Sequence, residues 1–396
     1  MSPIATSLER RNIGAIVTTN QAPFRLLIAG GGTGGHVFPA VAVVEEIRAR
    51  QPQTEFFWIG SHKGVEGRIA AEHSIPFRAV QMGKLRRYFD VENIKDVFRF
   101  PVGIAQAWPE IGRFRPDVIF STGGHASVPS VIAGWTRRVP ILTHEQTAQI
   151  GMANRISARF ASSFAVSFAE SVPLAQRVHK RVVLTGNPVR TSLLTGNAER
   201  GRMRYGFTAD LPILYVTGGA QGATRLNAGI EPNLPALLER MQIVHQAGPA
   251  AEENDDAARL AAFRETLPDP LKRRYVITEF VRDELPDVFA MADLVVSRSG
   301  AGTVAELELL GKPSILVPLP GTGGDEATKN ARVLERAGAA VVVEQKDATP
   351  ERLAVEIDRL LADRARLASM AAAAKAMGRE DAAASLADEL FALRRS

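Results

Sequence analysis

Short apolar runs that end in glycine-rich turns recur along the chain, and each leads into a segment with helical periodicity. The first run, 26–29, is followed by six residues of which five are glycine. The next segment has a proline, Pro39, in its expected first turn, and its apolar positions recur at helical spacing: Ala40, Val43, Val44 and Ile47. Similar strand patterns lie at 56–60, 115–120 and 139–142. This alternation predicts a doubly wound parallel sheet that binds its ligands at the carboxyl ends of its strands.

The second half of the chain opens as the first half does. Residues 212–217 predict a strand and residues 218–223 a glycine-rich loop. Asp117 and Asp293 each begin a predicted strand that runs into a glycine turn, and each is followed at the same spacing by an asparagine. The chain is therefore expected to be an α/β protein with two similar Rossmann-like halves facing one cleft. We expect a loose leader at 1–24, an N-terminal domain at 25–187 and a C-terminal domain at 188–370. The last part, 371–396, is expected to be a helix that packs back on the N-terminal domain.

Composition narrows the possible chemistry. The chain has 396 residues and no cysteine, which excludes disulfides, thiolate metal sites and cysteine nucleophiles and is typical of a reducing cytosol. We find no signal sequence and no apolar segment near the roughly 18 residues that a membrane-spanning helix needs. The net charge of +5 suits an anionic substrate or a membrane surface. We expect no nucleic acid, because the basic residues are few and dispersed.

The glycine-rich turn at 30–35 is the first candidate site. Glycines between a strand and a helix let a ligand approach the backbone, and the exposed N–H groups and helix dipole favour an anion, typically phosphate. The same glycines could simply permit tight packing. His36 follows the turn directly, and this position favours a functional interpretation.

A second candidate site lies where another predicted strand ends, at 297–307. Thr303 and Glu306 are three residues apart and share one face of the predicted helix. A carboxylate there could accept two hydrogen bonds from a ribose diol. The alternative is that Glu306 only stabilises the helix through its dipole or a capping pattern.

The segment 84–108 interleaves basic and aromatic residues, which include Arg86, Arg87, Tyr88, Phe89 and Phe98. Such a segment suits a helix or loop that rests on anionic lipid headgroups. An ordinary amphipathic helix packed on its own domain explains the pattern equally well.

Taken together, the motifs resemble the MurG family of bacterial N-acetylglucosaminyltransferases over residues 24–345. The matching motifs are Gly31-Gly32-Thr33-Gly34-Gly35-His36, Thr122-Gly123-Gly124, His144-Glu145-Gln146, Gly186-Asn187-Pro188-Val189-Arg190, Gly218-Gly219-x-Gln221-Gly222-Ala223, Arg298-Ser299-Gly300-Ala301 and Thr303-x-x-Glu306. The resemblance implies a GT-B glycosyltransferase that moves N-acetylglucosamine from UDP-N-acetylglucosamine to lipid I, an undecaprenyl-linked muramoyl-pentapeptide, with inversion. The product would be lipid II, for peptidoglycan and cell-wall synthesis.

The resemblance also assigns roles to individual residues. His36 would be the general base. The acceptor and its diphosphate would contact the first two glycine turns and two nearby loops: Gly31, Gly32, Thr33, Gly34, Gly35, Gly123, Gly124, His125, Glu145 and Thr147. UDP-N-acetylglucosamine would contact residues of both halves: Thr33, Gly34, Gly35, His36, Thr147, Arg190, Gly219, Ala220, Gln221, Phe280, Val281, Arg298, Ser299, Gly302, Thr303, Glu306, Glu326 and Ala327.

No DxD-type motif ends a predicted strand, so we expect no cofactor and no metal requirement. The expected location is the cytoplasmic face of the plasma membrane, as a peripheral protein. Other cell-wall synthesis and division proteins are expected partners.

Four positions depart from the family pattern. Ala220 stands where serine is common, His125 replaces a tyrosine, Thr147 an asparagine, and Ala327 a glutamine that would contact the donor sugar. Glu326 could substitute for that glutamine. The departures at 125, 147 and 327 support one alternative, a GT-B transferase with another UDP-sugar or lipid acceptor. A UDP-sugar 2-epimerase of the same fold is a second alternative, and it would not need the segment 84–108. A non-catalytic membrane scaffold is a third alternative, and it predicts no UDP binding.

Overall fold

The fold is taken from a computed structural model that describes residues 22–83, 91–250, 255–321 and 324–394, without the side chains of 91–98. In these residues the first half forms a parallel sheet in the order β3-β2-β1-β4-β5-β6-β7. Its strands are β1 (Arg25–Gly30), β2 (Glu55–Gly60), β3 (Phe77–Ala79), β4 (Val118–Gly123), β5 (Ile141–Glu145), β6 (Ser163–Val166) and β7 (Val182–Leu184). The helices are α1 (Gly34–Arg50), α2 (Glu66–Glu72), α3 (Val91–Phe114), α4 (Val128–Thr136), α5 (Met152–Ser157) and α6 (Val172–Gln176).

The second half forms another parallel sheet, in the order β10-β9-β8-β11-β12-β13. Its strands are β8 (Ile213–Thr217), β9 (Gln242–Gln246), β10 (Tyr275–Thr278), β11 (Leu294–Ser297), β12 (Ser314–Leu316) and β13 (Ala340–Val342). The helices are α7 (Ala198–Tyr205), α8 (Thr224–Ile230), α9 (Leu234–Leu238), α10 (Asp256–Glu265), α11 (Asp269–Lys272), α12 (Leu285–Met291), α13 (Ala301–Leu310), α14 (Glu326–Arg336), α15 (Pro350–Ala362), α16 (Arg364–Met377) and α17 (Ala382–Leu393). The prediction of two doubly wound, Rossmann-like halves is confirmed.

The repeated aspartates have the same role in both halves. Asp117 precedes β4, and its carboxylate accepts a 2.9 Å hydrogen bond from the N–H of Arg25 at the start of β1. Asp293 precedes β11, and its carboxylate accepts a 2.8 Å bond from the N–H of Ile213 at the start of β8. Each aspartate therefore ties together the two central strands of its sheet, between which the strand order reverses.

Helices cover both faces of each sheet, as the fully buried central strands β4, β5, β8 and β11 require. The last helix, α17, packs against α1 of the N-terminal half, and Leu386 and Leu390 share a buried cluster with Val41 and Val44. The preceding helix, α16, packs against α13 of the C-terminal half. The chain thus crosses between the halves twice, near Gly186 and near Gly378.

The start of α1 differs from the sequence-based expectation. The helix begins at Gly34, within the glycine-rich stretch 30–35, so that Pro39 lies inside the helix rather than in its first turn. The early start brings His36 into the first turn of the helix, at the carboxyl edge of the sheet.

Candidate functional site

A cleft of about 280 Å³ lies between the halves, where β1, β8 and β11 end. It brings together most of the residues predicted to contact the donor. These are Thr33, Gly34, Gly35, Arg190, Gly219, Ala220, Gln221, Phe280, Val281, Arg298, Gly302, Thr303 and Glu306. Loops that are more than 100 residues apart in the chain therefore line one space.

Two helices begin at this cleft. Gly34 and Gly35 form the start of α1, and Ala301 and Gly302 form the start of α13. The unpaired N–H groups and positive dipole ends of both helices favour an anion between them. The guanidinium carbon of Arg190 lies 5.3 Å from the ring centroid of Phe38 on α1, which holds this cation at the cleft.

A buried polar network shapes the inner end of the cleft. The side-chain oxygen of Gln246 accepts a 3.0 Å hydrogen bond from the N–H of Val281, and its amide nitrogen donates to the carbonyl of Gly219 at 2.9 Å. The hydroxyl of Tyr215 also donates to the Gln246 oxygen, at 3.3 Å. Gln246 and Tyr215 were not predicted from the sequence. Gln246 could have been, because it lies at the carboxyl end of a strand, β9, where ligands bind.

Glu306 projects from α13 into the same cleft. Burial raises the pKa of its carboxyl to about 7, and the opposing influence of nearby Arg190 only partly offsets this. Close to neutral pH this carboxyl therefore exchanges between an acceptor-only and a donor-capable form.

Several residues that were predicted to contact the donor form hydrogen bonds to other parts of the protein. The guanidinium of Arg298 lines the cleft but donates to the carbonyl of Val317 at 3.0 Å and to the side chain of Gln345 at 2.8 Å. The hydroxyl of Ser299 is buried and donates to the carbonyl of Ala327 at 2.7 Å. Ala327 is itself buried, in the first turn of α14. These residues connect β11, β12 and α14 beneath the cleft.

A second concave region lies at the ends of β1 and β4, where the two glycine turns of the N-terminal half meet. A Cβ atom added to Gly124 would lie 2.8 Å from the carbonyl oxygen of Gly31 and 3.1 Å from Cδ2 of His36. His36 points toward β4 and β5: its Nδ1 lies 3.0 Å from the carbonyl oxygen of Thr122 and 3.0 Å from the side-chain oxygen of Gln146. The glycines therefore leave room beside the His36 ring.

Glu66 was not predicted from the sequence, although it organises the first glycine turn. Its fully buried carboxylate accepts hydrogen bonds from the N–H of Gly32 at 2.9 Å and from the N–H and hydroxyl of Ser61 at 2.6 and 2.5 Å. The N–H of Gly32 is thus engaged by the protein itself. The sequence gives no sign that α2 begins beneath the glycine turn, so the contact of Glu66 with this turn could not be predicted.

Glu145 and Thr147 form the scaffold of the loop after β5. The carboxylate of Glu145 accepts from the N–H and hydroxyl of Thr147 at 3.1 and 2.8 Å, and from Gly151 and Asn154 at 2.9 Å each. His125 follows the second glycine turn and is half-buried. A Cβ atom added to Gly151 would lie 3.9 Å from the Glu326 carboxylate, so that Glu326 faces this loop from the other half.

The predicted membrane contacts fall largely outside the described residues. Arg86, Arg87, Tyr88 and Phe89 lie in the undescribed stretch 84–90, and the backbone of Phe98 lies on α3. Trp108 on α3 and Trp135 on α4 are about half exposed, and the guanidinium carbon of Arg137 lies 3.5 Å from the ring centroid of Trp108. Within the described ranges, no helix is both long and apolar enough to span a membrane.

The chain resembles known proteins over both halves. Residues 26–166 match the Glycosyltransferase family 28 N-terminal domain, and residues 213–386 match its C-terminal domain. A Bacillus cereus protein named UDP-N-acetylglucosamine–N-acetylmuramyl-(pentapeptide) pyrophosphoryl-undecaprenol N-acetylglucosamine transferase is 39% identical over 338 residues, covering 85% of this chain and 91% of the relative. A Listeria monocytogenes protein of the same name is 35% identical, covering 93% and 99%.

Solved structures give the same picture of the fold. The crystal structure of Acinetobacter baumannii MurG has a TM-score of 0.71 and 26% identity, covering 93% of this chain and all of that one. A UDP-N-acetylglucosamine 2-epimerase has a TM-score of 0.66 at 14% identity, covering 94% and 97%, a likeness that extends to the fold alone.

Proposed function

The chain belongs to glycosyltransferase family 28 and, within it, to the MurG family, and from this premise we propose that it makes lipid II. The proposed reaction transfers N-acetylglucosamine from UDP-N-acetylglucosamine to undecaprenyl-pyrophosphoryl-N-acetylmuramoyl-pentapeptide, which is lipid I. The observation that carries this proposal is the cleft between the halves, with two helix N-termini, Arg190 and Glu306 around it.

UDP-N-acetylglucosamine is proposed to bind with its diphosphate between the starts of α1 and α13. These dipole ends and the guanidinium of Arg190 would stabilise the negative charge that develops on the departing UDP. The Glu306 carboxylate would accept hydrogen bonds from the ribose hydroxyls. The uracil would lie near Phe280 and Val281, at the inner end shaped by Gln246. Because fixed dipoles and a cation already face the leaving group, we propose that transfer needs no metal.

Lipid I is proposed to bind at the two glycine turns of the N-terminal half. The sugar hydroxyl of the acceptor would attack the anomeric carbon of the donor from the face opposite UDP. The new C–O bond would form as the bond to the UDP oxygen breaks, which inverts the α-linkage to β. Nε2 of His36 would take the hydroxyl proton, as a positioned general base.

The acceptor's lipid requires contact with a membrane, and we propose peripheral attachment at the inner leaflet. The basic and aromatic segment 84–108 supports this. Replacing Tyr88, Phe89 and Phe98 with serine should weaken binding to anionic vesicles while leaving UDP affinity unchanged. Equal vesicle binding by this variant would contradict the membrane contact.

The experiment that tests the function is a transfer assay with a short-chain lipid I analogue. UDP-N-acetylglucosamine, UDP-N-acetylgalactosamine and UDP-glucose are offered in parallel, with and without a chelator. We expect dominant, chelator-resistant N-acetylglucosamine transfer that collapses in His36→Ala and persists in the control His73→Ala. Preference for another donor would favour the altered-specificity transferase that Ala327 suggests. Conversion of the UDP-sugar without lipid product would favour the epimerase, which the names of the relatives do not favour.

A further inference from the structure

A continuous chain of hydrogen-bonding groups connects His36 to the backbone crossing between the halves. Nδ1 of His36 lies 3.0 Å from the side-chain oxygen of Gln146, and the amide nitrogen of Gln146 lies 3.1 Å from Nδ1 of His144. Nε2 of His144 then lies 3.0 Å from the carbonyl oxygen of Gly186, at the crossing. The inner members are almost completely shielded from water, since His144 and Gln146 are 0% and 1% exposed.

The direction of every hydrogen bond in this chain follows from its two ends. The carbonyl of Gly186 can only accept, so Nε2 of His144 carries the proton and its Nδ1 has the lone pair. That lone pair accepts from the amide nitrogen of Gln146, which turns the amide oxygen toward His36. His36 must then carry its proton on Nδ1.

The other end of the chain gives the same answer independently. Nδ1 of His36 also lies 3.0 Å from the carbonyl oxygen of Thr122, which likewise can only accept. Two acceptors thus face one ring nitrogen. The hydroxyl of Ser167 is compatible with this order, because it donates to the Glu145 carbonyl at 2.9 Å and can accept from Nε2 of His144 at 3.2 Å.

Resting on the function proposed above, we propose that Gln146 and His144 are positioning residues that fix the tautomer and orientation of the His36 ring. Proton order along the chain leaves the lone pair of His36 on Nε2. That nitrogen lies on the side of the second glycine turn, 3.5 Å from the position of a Cβ atom on Gly124. A base must present its lone pair to the hydroxyl that it deprotonates, so the wrong tautomer would leave His36 unable to accept the proton.

Neutrality of His144 supports the same arrangement. Burial lowers the pKa of His144 to about 4, which the hydrogen bond to Gly186 only partly opposes, and nearby His36 lowers it further. A neutral ring has one donor and one acceptor nitrogen, as the chain requires. Glu145, the neighbouring carboxylate, is directed at Thr147, Gly151 and Asn154.

The first test is spectroscopic and uses the wild-type, ligand-free protein labelled with ¹⁵N in its histidines. At alkaline pH, where unperturbed imidazole is neutral, long-range ¹H–¹⁵N spectra show which ring nitrogen carries the proton. We expect opposite tautomers, Nδ1–H for His36 and Nε2–H for His144, with signals assigned through single-histidine variants. A proton on Nε2 of His36 would overturn the proposal.

The second test is kinetic. Gln146→Leu removes the hydrogen bonds that the amide makes with His36 and with the ring and carbonyl of His144. We expect kcat to fall by about 10- to 100-fold, part of what a positioned base contributes, with the KM for donor little changed. Gln242→Leu is the matched control, because Gln242 is also buried but bonds only Thr208 and Leu211, outside the cleft. The Gln242→Leu variant should be less stable than the wild type but have the same kcat.

Gln146→Glu distinguishes positioning from packing. The glutamate keeps an oxygen facing His36, so the His36 proton should stay on Nδ1. Its other oxygen replaces a donor and faces the Nδ1 lone pair and the carbonyl of His144, so kcat should recover only part of the loss. Unchanged kcat in Gln146→Leu would overturn the proposal. Failure of the proposed function would look different: wild-type protein would form no lipid product, while the histidine tautomers could still be read.

Discussion

Glu66 shows how one buried side chain sets the shape of the first glycine turn. Its carboxylate fills the space between three glycines, since Cβ atoms on Gly31, Gly60 or Gly64 would overlap it. It also accepts hydrogen bonds from the N–H groups of Gly32 and Ser61.

Glu66→Ala should therefore destabilise the protein. The half-buried Ser61 N–H loses its acceptor, and a donor left unsatisfied costs about 1–3 kcal/mol of folding free energy, whereas the N–H of exposed Gly32 can bond water instead. Urea unfolding should show a smaller loss for Glu66→Gln, which keeps one acceptor oxygen. An alanine variant as stable as the wild type would contradict this role.

The proposed contact of Glu306 with the donor ribose predicts that donor affinity depends on pH. Its pKa of about 7 means that the carboxyl gains a proton as the solution becomes mildly acidic. A carboxylate accepts stronger hydrogen bonds than a neutral carboxyl, so UDP-N-acetylglucosamine affinity should rise as the pH increases through about 7. Calorimetric titrations of wild type and Glu306→Gln isolate this effect, because the ligand is common to both. Parallel pH profiles would show that Glu306 does not contact the donor.

At the scale of single elements, the glycine turn after β4 combines an unusual backbone with close approach. Gly124 has a φ of +74°, and a Cβ atom there would press on the Gly31 carbonyl and the His36 ring. Gly206, at the end of α7, has a similar φ of +68° but open space around it.

Gly206→Ala should lose about 1–2 kcal/mol of stability, because alanine resists the left-handed conformation. Gly124→Ala should lose more, because its methyl group also overlaps the Gly31 carbonyl oxygen. Transfer activity should fall only in Gly124→Ala, where the added methyl group would displace the ring of His36, the proposed base. Equal activity in the two variants would show that the space beside His36 is not used by the acceptor.

The elements themselves were largely predictable from the sequence, because strand and helix periodicity and the glycine turns are local signals. Even the equivalence of Asp117 and Asp293 could be predicted from spacing, and both bind the first strand of their sheets. Contacts between distant segments could not be predicted this way. Gln246 and Glu66 act on turns from other parts of the fold, and the engagement of Arg298 with Gln345 depends on where β12 and β13 end.

At the scale of the whole molecule, the two halves are joined by polar contacts as well as by the crossings. The side-chain oxygen of Asn330 accepts from the N–H of Ala148 at 2.9 Å, and its nitrogen donates to the carbonyl of Ser299 at 3.3 Å. The ammonium of Lys329 donates to the side chain of Gln149 at 2.5 Å. The loop after β5 is therefore fixed against α14 of the other half.

Buried histidines make the whole fold sensitive to acid. Burial lowers the pKa of both His144 and His245 to about 4, against about 6.5 in an unfolded chain. Between these values the unfolded state binds more protons, so stability is fully present above about pH 6.5 and is lost as the pH falls toward 4. Denaturant unfolding across this range should show a shallower slope in His245→Asn, while the exposed control His62→Gln should keep the wild-type slope. Stability that does not change with pH would contradict this account.

Glu308 should change the stability of the fold with pH in the opposite direction to the two histidines. Burial raises the pKa of its carboxyl to about 8, and nearby Glu170 adds to this. Since the folded state holds this proton where the unfolded chain has lost it, stability should fall as the pH rises from about 4.5 to 8. Glu308→Gln should remove that part of the slope in the same unfolding measurements, and an unchanged slope would show that the carboxyl ionises freely.

The anomeric configuration of the product tests the central claim most directly. Wild-type protein is incubated with UDP-N-acetylglucosamine and a short-chain lipid I analogue, and the new linkage is determined by NMR. The account predicts a β-linked N-acetylglucosamine on the lipid, formed by attack opposite UDP, and no such product from His36→Ala. An α-linked product, or a changed UDP-sugar with no sugar on the lipid, would contradict it.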